Sequence, residues 1–436
     1  MTDRPASQGA QIVHISNTRT RTRATLATAL VTAAVTLAGT PASAAAEVPY
    51  TERASVAPDD VQLNDASFGA AATDRGVVFT SNAAVHSGDT NGQSDVYYRD
   101  PSGTHEVSYD ALPGDLMGDG PSYEPSGCAN GRFIAFVSQA ANLTTTPRED
   151  HEPLIHLRNR SVGKISVLPR SYQGVPFTSM GQPAISFDCQ WVAFVATLPS
   201  TPEHVEQSRV YRYRVYDGSI APVSQVSEDG SRAAGRPSIS ADGRHIAYQY
   251  AIPHPGGPAN DSDIYVRDME TGALEKASVA RTGGPANRES TGPSISADGR
   301  VVAFDSYASN LVHGDTNGSA NVFVRDLDKG RTRLVKGTGR GVFTHGASLS
   351  ADGLRVAYES GTLADPEAPR QVWLADLTDG SAQLVSANAQ GAPGDGSSTS
   401  PSVQPDGLAV SFTSYADDLV PDDTNGTLDV FVRHLK

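Results

Sequence analysis

The sequence predicts an all-β fold, a seven-bladed β-propeller of four-stranded blades, from three observations. First, a short apolar run ending in an aromatic recurs as Val77-Val78-Phe79, Ile134-Ala135-Phe136, Val192-Ala193-Phe194, Ile246-Ala247-Tyr248, Val302-Ala303-Phe304, Val356-Ala357-Tyr358 and Val410-Ser411-Phe412. Second, the aromatics stand 57, 58, 54, 56, 54 and 54 residues apart, the mark of equivalent supersecondary units repeated along the chain. Third, 41 Gly and 28 Pro in 436 residues punctuate the chain too often for a helical bundle. Charged residues are only 19%, and with 38% hydrophobic residues wholesale disorder is excluded.

Each unit reads in the same order. Pro237-Ser238-Ile239-Ser240 is a short first strand, and Asp242-Gly243 a hairpin turn whose Gly accepts positive φ. His245 to Tyr250 follow as an apolar second strand. After a polar loop, Asp263-Ile264-Tyr265-Val266-Arg267-Asp268 alternates with period two as a third strand. Thr271-Gly272 then turns the chain into a fourth strand, Leu274 to Ala280. Units near Pro293, Ala347 and Pro401 repeat this closely, those near Pro125 and Pro183 less so, and the first, near Phe68, least. Separate hairpins would leave unpaired strand edges, which a closed ring protects. The aromatics at alternating positions of the third strands (Tyr97, Tyr265, Phe323, Trp373 and Phe431) are expected between blades.

The two ends of the chain carry further signals. Arg19, Arg21 and Arg23 precede an apolar run from Ala24 to Gly39, and Pro41-Ala42-Ser43-Ala44 has the small residues of a cleavage site. The run is short for a membrane span, so residues 1–44 are expected to be a secretory signal and 45–436 the propeller. Without an Arg-Arg pair, the general export route is expected. Removing one acid (Asp3) and four bases (Arg4, Arg19, Arg21, Arg23) from a net charge of −15 leaves −18. Such an acidic chain offers no basic face for nucleic acid. The seventh unit ends at Lys436, after its third strand. Glu52-Arg53-Ala54-Ser55-Val56-Ala57 matches the fourth-strand segment Glu275-Lys276-Ala277-Ser278-Val279-Ala280 at five of six positions. Residues 50–57 are therefore expected to supply the missing outer strand and close the ring.

Pro293-Ser294-Ile295-Ser296-Ala297-Asp298-Gly299-Arg300, continued by Val301-Val302-Ala303-Phe304, and Asn321-Val322-Phe323-Val324-Arg325-Asp326 resemble the WD40-like PD40 repeats of the TolB-type propeller family. The resemblance covers nearly all of 45–436. It implies a propeller, export, and binding of partner proteins at the cell envelope. The chain departs from TolB in having seven units against six, and in lacking a separate N-terminal domain. Function is not carried by the fold itself.

Three loops share an oxygen-rich pattern: Asp89-Thr90-Asn91-Gly92-Gln93-Ser94-Asp95, Asp315-Thr316-Asn317-Gly318-Ser319-Ala320-Asn321 and Asp423-Thr424-Asn425-Gly426-Thr427-Leu428-Asp429. Two readings stay open. Oxygen ligands at the first, third and seventh positions around a Gly suit Ca²⁺, which makes Asp89, Asn91, Asp95, Asp315, Asn317, Asn321, Asp423, Asn425 and Asp429 candidate ligands. The same residues suit a turn, with Asn-Gly at its centre and an Asp capping it. Blade four keeps part of the pattern in Pro258-Ala259-Asn260-Asp261-Ser262-Asp263. Cys128 and Cys189, in the first hairpins of adjacent blades, are expected to form a disulfide in an exported protein. No cofactor other than Ca²⁺ is expected.

His151-Glu152-Pro153-Leu154-Ile155-His156 has i,i+5 spacing and a helix-breaking Pro, which excludes a zinc helix. No Gly-x-Ser-x-Gly elbow or phosphate-binding glycine loop occurs. These observations lead to an expected secreted, monomeric, non-catalytic module binding a protein, peptide or glycan, without nucleic acid or stable membrane insertion. The alternative is a secreted propeller enzyme of lyase or glycosidase type, its site assembled in the channel from distant blades. In either case the loops joining strands two and three and the inter-blade linkers, such as Arg281 to Thr291 and Ala387 to Thr399, share the expected recognition face.

Overall fold

A computed structural model describes residues 48–85, 89–109, 117–144, 150–200, 206–225, 233–251, 262–337 and 341–435. The expected signal segment and Pro258 to Asp261 lie outside the described residues. The described chain forms seven four-stranded antiparallel sheets and one short hairpin, Ser171–Tyr172 with Val175–Pro176. Blade four shows the plan. Ala234–Ile239, His245–Ala251, Ser262–Asp268 and Leu274–Lys276 pair in chain order, as the period of the sequence predicts. No described helix is long and apolar enough to cross a membrane.

The fourth strand stops at Lys276 rather than running to Ala280, and a serine explains why. The Ser278 hydroxyl accepts from Ile264 N (3.0 Å) and donates to Asp263 (2.7 Å), replacing a ladder bond and bending the chain away. Ser108 does the same with Val96 and Asp95, Ser386 with Val372 and Gln371, and Ser55 with Val430 and Asp429.

The Pro-Ser-x-Ser-x-Asp-Gly signature also has a physical account. The second Ser donates to the turn Asp and accepts the N–H five residues on, as Ser240 does with Asp242 (2.7 Å) and His245 N (2.9 Å). The first Ser reaches the next blade. Ile295 N donates to Ser238, Leu349 N to Ser294, Val403 N to Ser348, Ala72 N to Ser402 and Ile185 N to Ser126, at 3.0–3.1 Å. Blades one and three have Ala71 and Ala184 at this position and cannot make the bond. At the hairpin turns, backbone bonds Ala241 N to Ala297 O, Ala297 N to Ala351 O and Ala351 N to Pro405 O link blade to blade.

Tyr50–Arg53 pairs with Asp429–His434, so the N-terminal strand completes blade seven as expected. An ion pair seals this closure. Arg53 lies 3.1 Å from Asp423 and 3.8 Å from Asp429, with all three side chains nearly buried. Cys128 and Cys189 form the expected disulfide between blades two and three. The recurring aromatics pair first within their own blades, as Phe304 does with Phe323 (ring centroids 6.0 Å apart) and Phe412 with Phe431 (5.8 Å). They then pack between blades, because the apolar clusters are shared. One cluster joins Ala303, Val322 and Val335 of blade five to Leu349, Val356 and Tyr358 of blade six.

Candidate functional site in the channel

The innermost strand of every blade carries a β-bulge, and the bulges form a ring around the channel. In each blade two residues of strand one face a single residue of strand two, and that residue is the repeat aromatic: Phe79, Phe136, Phe194, Tyr248, Phe304, Tyr358 or Phe412. Proline occupies the second bulge position in five blades (Pro125, Pro183, Pro237, Pro293 and Pro401), where no ladder donor is required. The first bulge position takes a left-handed backbone. Gly69, Gly292 and Gly346 adopt it freely, but Glu124, Gln182, Arg236 and Ser400 adopt it at φ 52°, 53°, 49° and 52° despite their Cβ atoms. Left-handed non-glycine residues are uncommon, each costing about 1–3 kcal/mol, and they gather where the backbone is held by function.

The bulge N–H groups point to acceptors from the preceding blade. Gln182 N donates to Glu124 (2.7 Å) and Arg236 N to Gln182 (2.6 Å). Around blades six and seven the acceptors change. Gly346 N donates to Asp305 (2.9 Å) and Ser400 N to Glu359 (2.8 Å), both carboxylates of second strands. Asp305 and Glu359 follow the repeat aromatics Phe304 and Tyr358, where other blades have Thr80, Val137, Val195, Gln249 and Thr413.

These substitutions build a cluster of titratable groups in a cavity of ≈ 570 Å³ at the channel. Asp305, His345, Glu359 and Arg236 all line it. His345 Nε2 lies 3.3 Å from Glu359 Oε2, Arg370 Nη1 lies 3.8 Å from the same oxygen, and the Glu359 side chain is 7% exposed. The His345 ring stacks on Phe343 at 5.7 Å, which fixes its plane. Burial pushes the Asp305 carboxyl up to about 7, and Glu359 adds to the rise; N–H groups of Gly346 and Ala347 and the charge of Arg236 oppose it. Asp305 Oδ1 is buried with no hydrogen-bond partner among the described residues. Burial lowers the pKa of His345, and Arg370 lowers it further while Glu359 works against both. A carboxyl titrating near neutrality beside a neutral, carboxylate-oriented imidazole is equipment for proton transfer. The cluster lies where first strands begin and second strands end, on the face that the sequence marks for recognition.

None of the sequence-derived candidates belongs to this cluster. Each Asp-Thr-Asn-Gly loop folds as a turn in which the Asn carbonyl accepts an N–H two residues on: Asn91 from Gln93, Asn317 from Ser319, and Asn425 from Thr427. The acidic oxygens meet protein donors. Tyr97 donates to Asp89 (3.2 Å), Ser108 to Asp95 (2.7 Å), Asn321 to Asp315 (3.2 Å) and Gln62 to Asp423 (2.7 Å). Asp95 is fully buried, and burial raises its carboxyl to about 7. His156 is buried in the third strand of blade two and stacks on Phe136 at 5.6 Å, filling an aromatic's place. Among the described residues no group of three or more His, Cys, Asp or Glu is placed to hold a metal ion.

No family model matches the chain, and no curated protein matches its sequence. Solved structures do match its fold. An oligogalacturonate lyase in complex with manganese has a TM-score of 0.55 at 13% identity, covering 89% of this chain and 96% of that one. A puromycin-hydrolyzing peptidase of Mycobacterium tuberculosis has 0.53 at 16%, covering 88% of this chain and 56% of the peptidase. TolB from Acinetobacter baumannii has 0.39 at 16%, covering 66% of this chain and 58% of TolB. At these identities the likeness is one of fold. The expectation of a non-catalytic binding module is nevertheless corrected. The propellers matched over most of this chain include a lyase and part of a peptidase, and this channel carries a cluster of titratable groups. Among the described residues, its donors do not make up a metal site.

Proposed function

We propose that the chain is an exported, PD40-type propeller enzyme that cleaves a glycan in its channel by acid–base chemistry, in the manner of a lyase. The observation that supports this reading is Asp305, held near neutrality beside the His345–Glu359 pair. An ionised Asp305 accepts a proton, and the base works best with a pKa close to the operating pH. Glu359 orients His345, whose depressed pKa leaves the imidazole neutral, so that it takes up the proton collected by Asp305 and, as a transient imidazolium, hands it to the leaving oxygen. In an elimination, the C–H bond beside a sugar carboxyl breaks to Asp305, a C=C bond forms, and the C–O bond breaks with its oxygen protonated. No water or oxidant enters the balance. Elimination requires an acidified C–H, so the substrate would be a uronate polymer, the substrate class named for the lyase of matching fold. The disulfide fits an oxidising compartment.

The test is incubation with oligogalacturonate while recording the ultraviolet absorbance of an unsaturated product and the release of reducing ends. Both should rise together, and Asp305→Asn and His345→Ala should each lower the rate 100-fold or more, on the order expected for a lost acid–base group. Reducing ends without absorbance would assign hydrolysis instead. An unchanged rate in Asp305→Asn would remove Asp305 from the chemistry.

A further inference from the structure

Four bulge positions on the channel ring carry side chains, and two of the four are explained by contacts within the ring. Glu124 and Gln182 accept the next bulge N–H, and Ser400 is small. Arg236 is different. Its backbone is left-handed at φ 49°, its N–H is held 2.6 Å from Gln182 Oε1, and Pro237 follows it, so three constraints hold the main chain in place. The side chain is exposed and lines the same cavity as Asp305 and His345. Among the described residues its guanidinium forms no ion pair and donates no hydrogen bond. Gly69, Gly292 and Gly346 reach the same backbone without strain, so packing alone does not require an arginine there.

We propose that Arg236 is the specificity-determining residue of the channel, pairing with a carboxylate of the bound ligand. This rests on the channel reading above and names the feature of the substrate that the channel selects. A guanidinium presents a planar fork matched to a carboxylate, and a bidentate pair gives orientation as well as affinity. Arg236 stands on the blade before Asp305, and its charge is felt at that carboxyl. A carboxylate seated on it would lie beside the proton-transfer groups. Strain is kept at four blades and relieved by glycine at three, and at Arg236 the strained position carries a charged side chain with no partner in the ring, the pattern expected where a side chain is kept for binding.

The experiment measures binding by calorimetry at neutral pH with two probes, oligogalacturonate and its methyl ester, which share a backbone and differ in charge. The wild-type protein should prefer the free acid by about 10- to 100-fold, the value of a hydrogen-bonded charge pair. Arg236→Gly and Arg236→Ser should bind both probes alike, with Tm at or above wild type in Arg236→Gly, where glycine relieves the strain. Arg236→Lys should keep part of the preference. A second readout is the pH–rate profile. Groups facing Asp305 are Glu359, Arg236 and the N–H groups of Gly346 and Ala347, so removing the Arg236 charge should move the Asp305 limb to higher pH. A free-acid preference that survives in a folded Arg236→Ser protein overturns the proposal, as does a wild-type protein that binds neither probe. If Asp305→Asn retains turnover while Arg236→Ser loses the preference, the catalytic reading fails and the recognition residue stands.

Discussion

Asp305 shows how one residue replaces a repeat's structural choice with a chemical one. Its position follows the repeat aromatic, where blades two and three place Val137 and Val195. A carboxyl raised to about 7 from an ordinary 3.8 is disfavoured in its charged form by the fold. Between those values the folded protein binds the proton and the unfolded chain releases it, so this group's contribution to stability falls as pH rises from about 4 to 7. The cost at pH 8 is up to roughly 4 kcal/mol. Asp305→Asn is therefore expected to raise Tm relative to wild type at pH 8, with the difference vanishing near pH 4. Melting curves of the two proteins across that range check it. Such a residue was visible in the sequence as an acid in a column of Thr, Val and Gln, shared only with Glu359. Its role was not, because the groups that act on it, Gly346 N, Glu359 and Arg236, come from the two neighbouring blades and meet it only at the channel.

Within a blade, the serine of Pro-Ser links sheets that share no ladder. Ser294→Ala leaves Leu349 N without its acceptor and is expected to cost about 1–3 kcal/mol, read as a lower denaturant midpoint at unchanged m-value. Ser126→Ala should behave alike. Blades one and three already carry Ala at this position, so the bond is one of several blade-to-blade contacts. Across blades two and three the Cys128–Cys189 bridge closes a separation of 61 residues. Losing it in Cys128→Ser should cost about 2–4 kcal/mol, measured by thermal melting with and without reductant. Loop chemistry was legible only to a degree. Asp-Thr-Asn-Gly announces a turn or a cation site with the same letters, and the donors that surround each carboxylate come from elsewhere in the ring, as Gln62 does for Asp423.

For the whole molecule, the ring is held by the pairing of its two ends. Arg53 supplies a buried cation to Asp423 and Asp429, 370 and 376 residues away along the chain. Arg53→Ala leaves two carboxylates buried without their cation, and a broken buried pair costs about 3–5 kcal/mol. Unfolding of that variant should begin at blade seven, seen as early loss of hydrogen-exchange protection in Asp429–His434. The sequence alone determined the seven-fold repeat, the strand order within a blade, the closing strand and the disulfide. Each follows from short-range pattern or from identity between repeats. Tertiary structure decided which residues meet at the channel, because bulges, left-handed backbones and acceptors contributed by the preceding blade leave no local spacing to read. Seven similar strands must first converge on one axis before Asp305, His345, Glu359 and Arg236 share a cavity.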